Sequence, residues 1–273
     1  MDGLGRHHDD ELRSAGKSWS DQLAAWAIPS EILAQAPTSP WIHPVELFEV
    51  AANARQPASL STELALAALP DGGSVLDIGC GGGRGAMALA HRAHLLIGVD
   101  HQQEMLEKFA EAAKERNVEH LEIFGDWPAN SASVPIADVA IAHHVIYNIS
   151  DLEGFAKAMN SHAKNRVVLE APERHPLSNM DDLWLHFWNL TRPTGPTAQD
   201  ALEAIREAGY EAQIDHFDDG PRQSLQSMSI EKQVEFTRVR LCLSDSSDAE
   251  LRTMLLHRIE QPRKLAAIWW DTK

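Results

Sequence analysis

The fold class is decided by residues 75–83, which read VLDIGCGGG. An apolar run typical of a buried strand leads directly into glycines and then into a helical pattern that begins near Gly85. The chain at such a turn needs residues without Cβ, both for dihedral freedom and so that a ligand can approach the backbone. The N-terminus of the following helix supplies unpaired N–H groups and a positive dipole end. The stretch therefore predicts a strand–turn–helix unit with a ligand at the turn.

Alternating apolar runs and amphipathic stretches continue on the carboxyl side of this unit. Such alternation builds a parallel sheet with right-handed crossovers and helices on both faces, and it predicts an α/β fold. The predicted strands are residues 74–78, 95–99, 121–124, 137–142, 166–171, 211–215 and 264–270. The predicted helices are residues 85–92, 103–116, 151–162, 198–208, 230–243 and 248–259, with a Pro-rich stretch at residues 172–196.

The regions that flank this alternation predict additions to one domain. Residues 1–20 lack periodicity and are interpreted as a disordered tail. Residues 21–70 have helical spacing interrupted by prolines, which predicts an N-terminal helical cap. Residues 71–273 form the sheet-containing domain, with a helical addition at residues 217–261 before the last strand. No internal repeat or domain linker divides the sequence.

Composition narrows the classes of partner. The formal net charge of −16 repels polyphosphate chains, and no Lys/Arg-rich run offsets it, so nucleic acid is not expected as a partner. The two cysteines, Cys80 and Cys242, are too few for a disulfide framework or a zinc site, and no metal is predicted. No apolar run has membrane-spanning length, and the polar N-terminus does not resemble a signal sequence. We therefore expect a soluble, cytoplasmic protein without a membrane partner.

The glycine turn alone does not choose between cofactors. The pattern from Gly81 through Gly83 to Ala86 satisfies a relaxed nicotinamide-binding fingerprint. The first glycine after the strand is Gly79, however, and its spacing places Arg84 where that fingerprint needs a small residue. Asp77 precedes the turn, where a carboxylate would face a pyrophosphate unfavourably but would suit a ligand that carries an amine and a sulfonium.

Together these residues resemble the class I S-adenosylmethionine-dependent methyltransferases. Residues 75–83 look like the family's first motif, and three further motifs follow in the family's order, at the ends of the second, third and fourth strands. The resemblance spans residues 74–171 and implies a Rossmann-like, seven-stranded, mostly parallel sheet whose final strand is antiparallel. It also implies that Asp100 binds the ribose hydroxyls and Asp126 the adenine amino group. The implied cofactor-binding residues are Asp77, Gly79, Gly81, Gly83, Asp100, His101, Asp126, Trp127 and His143.

Four residues at the ends of the fourth and fifth strands are candidates for catalysis. His143 or His144 could accept a proton, because the ordinary histidine pKa suits that task. The alternative is that the first packs against adenine and the second orients a loop. Tyr147 could hydrogen-bond the acceptor or satisfy the loop backbone. Glu170 ends an apolar strand near the expected acceptor, although a solvated carboxylate at a strand end is common.

The predicted function is methyl transfer from S-adenosylmethionine to a small-molecule acceptor. Aromatic residues such as Trp184 and Trp188 could cover that acceptor or could form core, because they lie at helical spacing after the fifth strand. A cofactor-binding regulator that has lost catalysis is one alternative, and a nicotinamide oxidoreductase is another. The sequence predicts neither the acceptor, nor the atom that is methylated, nor the oligomeric state.

Overall fold

The computed structural model describes residues 14–40, 59–218, 228–258 and 263–272. The strands are β1 (Gly73–Ile78), β2 (Ala93–Asp100), β3 (Glu119–Phe124), β4 (Ala137–His143), β5 (Ala163–Pro172), β6 (Gln213–Asp218) and β7 (Lys264–Asp271). The helices are α1 (Ala15–Ala24), α2 (Ser30–Leu33), α3 (Leu60–Ala68), α4 (Arg84–Met87), α5 (Gln103–Glu115), α6 (Leu152–Ser161), α7 (Asp181–Trp188), α8 (Ala198–Glu207), α9 (Ile230–Arg240) and α10 (Asp248–His257).

The strands form a single seven-stranded sheet in the order β3-β2-β1-β4-β5-β7-β6. β7 is antiparallel to both β5 and β6, whereas the pairs β1–β2, β1–β4, β2–β3 and β4–β5 are parallel. The predicted mostly parallel sheet with an antiparallel final strand is therefore confirmed. The strand order reverses between β1 and β4, and ligands of open α/β sheets bind at the carboxyl ends of the strands beside such a reversal.

Helices cover both faces of the sheet, as the alternation predicted. One core cluster joins the sheet to α1, α6 and α8, with Trp19, Phe155 and Leu202 buried in it. A second cluster joins the opposite face to α3, α4 and α5, with Leu69, Ala86 and Phe109 buried there. β1 lies between these layers and all of its residues are buried, as expected for a central strand of a parallel sheet.

A third apolar cluster lies outside the sheet and forms the core of a helical cap. It joins α2, α7, α9 and α10, and its buried members include Ile32, Trp184, Val234 and Leu251. Pro172 at the end of β5 pairs with Leu265 at the start of β7, so the segment that carries α9 and α10 returns to the sheet at its carboxyl edge. The cap is therefore attached at the edge where a ligand is expected.

Two boundaries differ from the sequence prediction. The disordered tail predicted for residues 1–20 is wrong for residues 14–20, because α1 begins at Ala15 with Ser14 as its N-cap. The rest of that prediction, residues 1–13, lies outside the described residues. α1 is held to the domain by Trp19, which is fully buried and donates to the Ile149 carbonyl at 2.7 Å. The helix predicted at residues 85–92 ends at Met87. Beyond it, backbone hydrogen bonds that span three residues, such as Arg92 N–H to Leu89 O, replace the four-residue bonds of an α-helix.

No described helix is both long enough and apolar enough to cross a membrane.

Candidate active site

The turn after β1 is built from glycines in the left-handed region of backbone space. Gly79, Gly81 and Gly83 have φ angles of +66°, +50° and +88°, which disfavour residues with a Cβ. A Cβ on Gly79 would also collide with the Val145 side chain, and one on Gly83 would lie 2.9 Å from Met87 Cε. The backbone of this turn is therefore left uncovered by side chains at these positions.

Asp77, in β1, is buried instead of facing the turn. Its side chain is 1% exposed, and Oδ2 accepts from the Ala86 N–H at 3.1 Å, at the first turn of α4. Burial raises the pKa of the carboxyl to about 7, the Ala86 hydrogen bond opposes this change, and the nearby Asp100 charge adds to it. The direct contact with a cofactor amine that the sequence suggested stays a prediction, and the structure shows a carboxyl that holds α4 against β1.

Asp100 ends β2 and connects the second strand to the glycine turn. Its Oδ2 accepts from Gly81 N–H at 3.0 Å and its Oδ1 from Gln102 N–H at 2.9 Å. An ionised carboxylate has about four acceptor positions, so two remain for other donors. His101 lies beside it, with Nδ1 3.8 Å from Asp100 Oδ1 and a side chain that is 64% exposed.

The end of β3 supplies a mixed polar and apolar surface. Asp126 is exposed, whereas Trp127 is half-buried and meets the His162 ring edge-on, with ring centroids 5.0 Å apart. The indole Nε1 is buried without a hydrogen-bond partner among the described residues. Phe124, which the sequence analysis did not single out, is 62% exposed at the carboxyl end of β3. A large aromatic residue at a strand end beside Gly125 is the signal that could have found it.

β4 and β5 bring His143, His144 and Glu170 together. His143 pairs with Glu170 in the parallel register of these strands. His144 follows β4 with a φ of +61°, which turns it out of the strand, and its Nε2 lies 3.3 Å from Glu170 Oε1. The backbone N–H of His144 also donates to the Glu170 carbonyl at 2.6 Å. The two histidines therefore flank one buried carboxylate at the carboxyl edge of the sheet.

The Glu170 carboxylate is fixed from two sides. Ser59, the N-cap of α3, donates its hydroxyl to Glu170 Oε2 at 3.0 Å, and Oε1 faces His144. An ionised carboxylate only accepts and needs a hydrogen on His144 Nε2, whereas Arg263 Nη2 only donates and lies 3.4 Å from the same nitrogen. We assign the hydrogen to Nε2 because the contact with the Glu170 carboxylate is the shorter one. Nδ1 is then the free ring nitrogen, and it is buried without a hydrogen-bond partner among the described residues. A ring held by a carboxylate through one nitrogen, with the other nitrogen free, is the arrangement of an oriented proton acceptor.

The charges of this cluster favour a neutral imidazole beside an ionised carboxylate. Burial alone would raise the pKa of Glu170, but His143 and the hydrogen-bonded His144 outweigh it and hold the pKa well below its usual range. Burial lowers the pKa of His144, Glu170 opposes this, and the charge of Arg263 adds to the lowering. Arg263 Nη2 lies 3.4 Å from His144 Nε2. Burial likewise lowers the pKa of His143, against the effect of Glu170.

Tyr147 does not join this cluster. Its hydroxyl donates to the Pro172 carbonyl at 2.9 Å, and its ring packs against Trp19 and His175 with centroid distances of 5.5 and 5.3 Å. Burial, aided by the charges of Asp200 and Glu173, raises the pKa of the phenol well above its ordinary value. Of the two roles that the sequence left open, the structure favours satisfaction of the loop backbone, and we leave Tyr147 out of the candidate catalytic group.

The residues at this edge fit the cofactor that the sequence resemblance implies. Adenosine needs an acceptor for its ribose hydroxyls and a backbone that it can approach closely. Asp100 has acceptor capacity left, and the three glycines carry no Cβ. The ring nitrogens His143 Nε2 and His144 Nδ1 are buried and unpartnered among the described residues, so a ligand can satisfy them.

Comparisons with known structures agree with this fold. An S-adenosylmethionine-dependent methyltransferase of Thiobacillus denitrificans, solved with S-adenosyl-L-homocysteine, superposes with a TM-score of 0.56 at 16% identity, over 85% of this chain and 99% of that one. The YcgJ protein of Bacillus subtilis gives a TM-score of 0.52 at 18% identity, over 78% of this chain and 98% of that one. The chain therefore has the fold of S-adenosylmethionine-dependent methyltransferases.

Comparisons of sequence identify the family. A curated protein of Haemophilus influenzae, described as an uncharacterized protein, is 34% identical over 104 residues. That match covers 37% of this chain and 38% of the relative, so the chain matches well under half of that protein's length. The model of the family described as "Methyltransferase domain" matches residues 50–213, which is more than half of the chain. The chain belongs to the methyltransferase domain family.

Proposed function

We propose that this protein transfers a methyl group from S-adenosylmethionine to a small, partly apolar acceptor, with His144 as the proton acceptor. The observation that carries the proposal is the contact between His144 Nε2 and Glu170 Oε1 at 3.3 Å, beside the glycine turn. A general base oriented by a carboxylate is useful when the acceptor must lose a proton as it is methylated. Family membership removes the nicotinamide oxidoreductase from consideration.

The residues of the chain act in this proposal by positioning and by proton transfer. When bound, S-adenosylmethionine supplies an electrophilic methyl group on its sulfonium. Asp100 orients the ribose through its free acceptor positions, and the glycine turn admits the cofactor close to the backbone. Alignment of two reactants can supply a large share of the acceleration of a bimolecular step. His144 takes the proton of the acceptor at Nδ1, and Glu170, held by Ser59, stabilises the resulting imidazolium.

The surroundings of the site indicate the size of the acceptor. The helical cap is attached at the carboxyl edge of the sheet, and its core contains Trp184 and other large apolar residues. Enclosed, apolar sites with a few polar groups suit compact ligands. The net charge of −16 disfavours polyanions. These observations support a small molecule over a macromolecular acceptor.

The test compares Glu170→Gln and His144→Gln with a matched control, Glu173→Gln. Glu173 is a nearby carboxylate that faces His216 at 2.8 Å instead of the two histidines at the end of β4. Release of S-adenosylhomocysteine is measured against a panel of small acceptors that carry hydroxyl or other acidic protons. We expect turnover to fall by roughly 10²–10⁴-fold in the first two variants and to stay near wild type in the control. Cofactor affinity should be unchanged in all three.

The pH profile gives an independent readout. Catalysis needs neutral His144, whose pKa is lowered by burial below its ordinary value of about 6.5. Activity should therefore persist below about pH 6.5 and fall only as the pH drops through the lowered pKa. Full activity of Glu170→Gln would contradict the assigned base. Tight cofactor binding without turnover of any acceptor in the panel would instead favour a regulator that has lost catalysis.

A further inference from the structure

Arg192 is a buried guanidinium held between two indole rings. Its side chain is 5% exposed, and Cζ lies 5.0 Å from the ring centroid of Trp26 and 5.1 Å from that of Trp184. One terminal nitrogen donates to the Trp26 carbonyl. The side chain therefore connects the segment after α1 to α7 of the cap. The free energy gained by a cation over an aromatic face is less than the cost of burying an unpaired charge.

The positive charge of Arg192 has no carboxylate partner in direct contact within the described parts of the chain. Asp181 interacts electrostatically with Arg192, but its Oδ2 lies 3.4 Å from Arg174, so its charge is shared with another cation. Arg192 Nε is buried without a hydrogen-bond partner among the described residues. Trp184 Nε1, in the fully buried indole on which Arg192 lies, also lacks a partner in the part of the chain that the structure describes. Two unsatisfied donors, one of them charged, thus occur in a single cluster, and buried donors without acceptors are rare in folded proteins.

A series of ring contacts connects this cluster to the carboxyl edge of the sheet. Trp26 stacks on His175 with ring centroids 4.0 Å apart, and His175 meets Tyr147 edge-on at 5.3 Å. Tyr147 and His175 follow β4 and β5, and these strands end with His143 and carry Glu170. Burial, together with the charge of Arg192, lowers the pKa of His175 to about 4, so no second cation forms beside the guanidinium near neutral pH.

We infer that Arg192, assisted by Trp184 Nε1, binds a carboxylate carried by the methyl acceptor. This inference rests on the proposed function and names the chemical class of its substrate, a small aromatic or aliphatic acid. A guanidinium presents donors in a planar fork that matches a carboxylate, and a low-dielectric site strengthens the pairing. A single arginine in a protein of net charge −16 suits a monoanion better than a polyanion.

The test uses benzoate and benzamide, which have similar shapes but differ in charge. Each is titrated into the ¹⁵N-labelled full chain, with and without S-adenosylhomocysteine, while the arginine Nε–H and tryptophan Nε1–H signals are recorded. Arg192→Lys and Trp184→Phe assign the two signals by their loss. We expect saturable shifts of both signals with benzoate and none with benzamide. Arg192→Lys should weaken benzoate binding about tenfold or more, because a hydrogen bond to a charged partner is lost.

The control is Arg206→Lys, on α8, whose Nε donates to the Ala212 carbonyl at 2.8 Å. This variant should bind benzoate as the wild type does. Equal responses to benzoate and benzamide, no response to either, or unchanged benzoate affinity in Arg192→Lys would overturn the inference. If Arg192→Lys does not fold, Trp184→Phe decides, because it keeps an aromatic side chain and removes the donor, and unchanged benzoate affinity in it would also overturn the inference. Calorimetry with S-adenosylhomocysteine on the same samples tests the proposed function separately.

Discussion

Asp77 is a carboxyl group whose burial makes the stability of the protein depend on pH. The ordinary pKa is 3.8 and the folded-state pKa is about 7. Between these values the folded protein binds a proton that the unfolded chain has released, so stability falls as the pH rises through this window. Asp77→Asn removes this titration and keeps an acceptor for the Ala86 N–H. We expect the variant to be more stable than wild type near pH 8, by a few kcal/mol at most, and to show a smaller gain near pH 5, which lies lower in the same window.

Urea unfolding without cofactor at about pH 5 and about pH 8 measures this difference. Asp138→Asn is the control, because Asp138 accepts from Ser74 and its pKa is lowered, despite burial, by those hydrogen bonds and by Lys164. The stabilisation by the Asp138 carboxylate is lost only as the pH falls through that lowered pKa. Asp138→Asn should therefore lower the free energy of unfolding by the same amount at both pH values. An equal change in the free energy of unfolding on Asp77→Asn at the two pH values would contradict the raised pKa of Asp77.

Asp100 carries the second prediction at the residue scale. Asp100→Ala should weaken binding of S-adenosylhomocysteine by about 1.5–3 kcal/mol, because it removes a charged hydrogen-bond partner and frees the Gly81 N–H. Isothermal calorimetry measures the affinity. Glu104→Ala, which removes an exposed carboxylate from α5, controls for net charge and should bind as wild type does. Unchanged affinity in folded Asp100→Ala would remove Asp100 from the site.

Single residues differ in how well the sequence could place them. Asp100 could be predicted because it ends an apolar strand at a fixed distance from the glycine turn. The contact between Ser59 and Glu170 could not, because the two residues are 111 positions apart and meet only after α3 packs against β5. The sequence offered one signal, a serine before a helical run, which predicts an N-cap but not its partner. Arg192 and Arg263 were not predicted as functional residues, because a single arginine does not form a recognisable sequence motif.

At the scale of elements, strands were easier to predict than short helices. Every predicted strand has a counterpart in the sheet within a few residues, because short apolar runs bounded by glycine or polar residues have few alternative structures. The helix after the glycine turn was predicted too long. The backbone leaves the α-helical hydrogen-bond pattern after Met87 because the chain must reach the start of β2 within a few residues. α1 was predicted to begin too late, because its first turn is polar and its burial depends on a single residue, Trp19.

α1 gives a prediction at this scale. Trp19 packs against Tyr147 and donates to the Ile149 carbonyl, so it attaches α1 to the loop after β4. Trp19→Ala should lower the free energy of unfolding by roughly 3–5 kcal/mol, and cofactor affinity should be preserved in the folded variant. Lys17→Ala, two residues away on the same helix, removes only an exposed pair with Asp21 and should change stability by less than about 1 kcal/mol. Chemical denaturation measures both variants, and a similar stability change in the two would show that α1 is not anchored by Trp19.

At the scale of the whole molecule, the sheet and the cap perform separate tasks. The sheet edge carries the glycine turn, Asp100 and the two histidines at the end of β4, whereas the cap has a core of its own. The sheet could be predicted from alternation and a resemblance that spans residues 74–171. The cap could be predicted only as separate helices at residues 21–70 and 217–261. Its core joins segments from distant parts of the chain, and no sequence motif indicates that these segments pack together.

The most direct measurement is calorimetric titration of the purified protein with S-adenosylhomocysteine and, separately, with NAD. The geometry of the glycine turn and the free acceptor positions of Asp100 predict saturable binding of S-adenosylhomocysteine at one site, with a rise in melting temperature that grows with its concentration. NAD should give neither heat nor stabilisation. Binding of NAD with no response to S-adenosylhomocysteine would contradict the assignment of this chain as an S-adenosylmethionine-dependent methyltransferase.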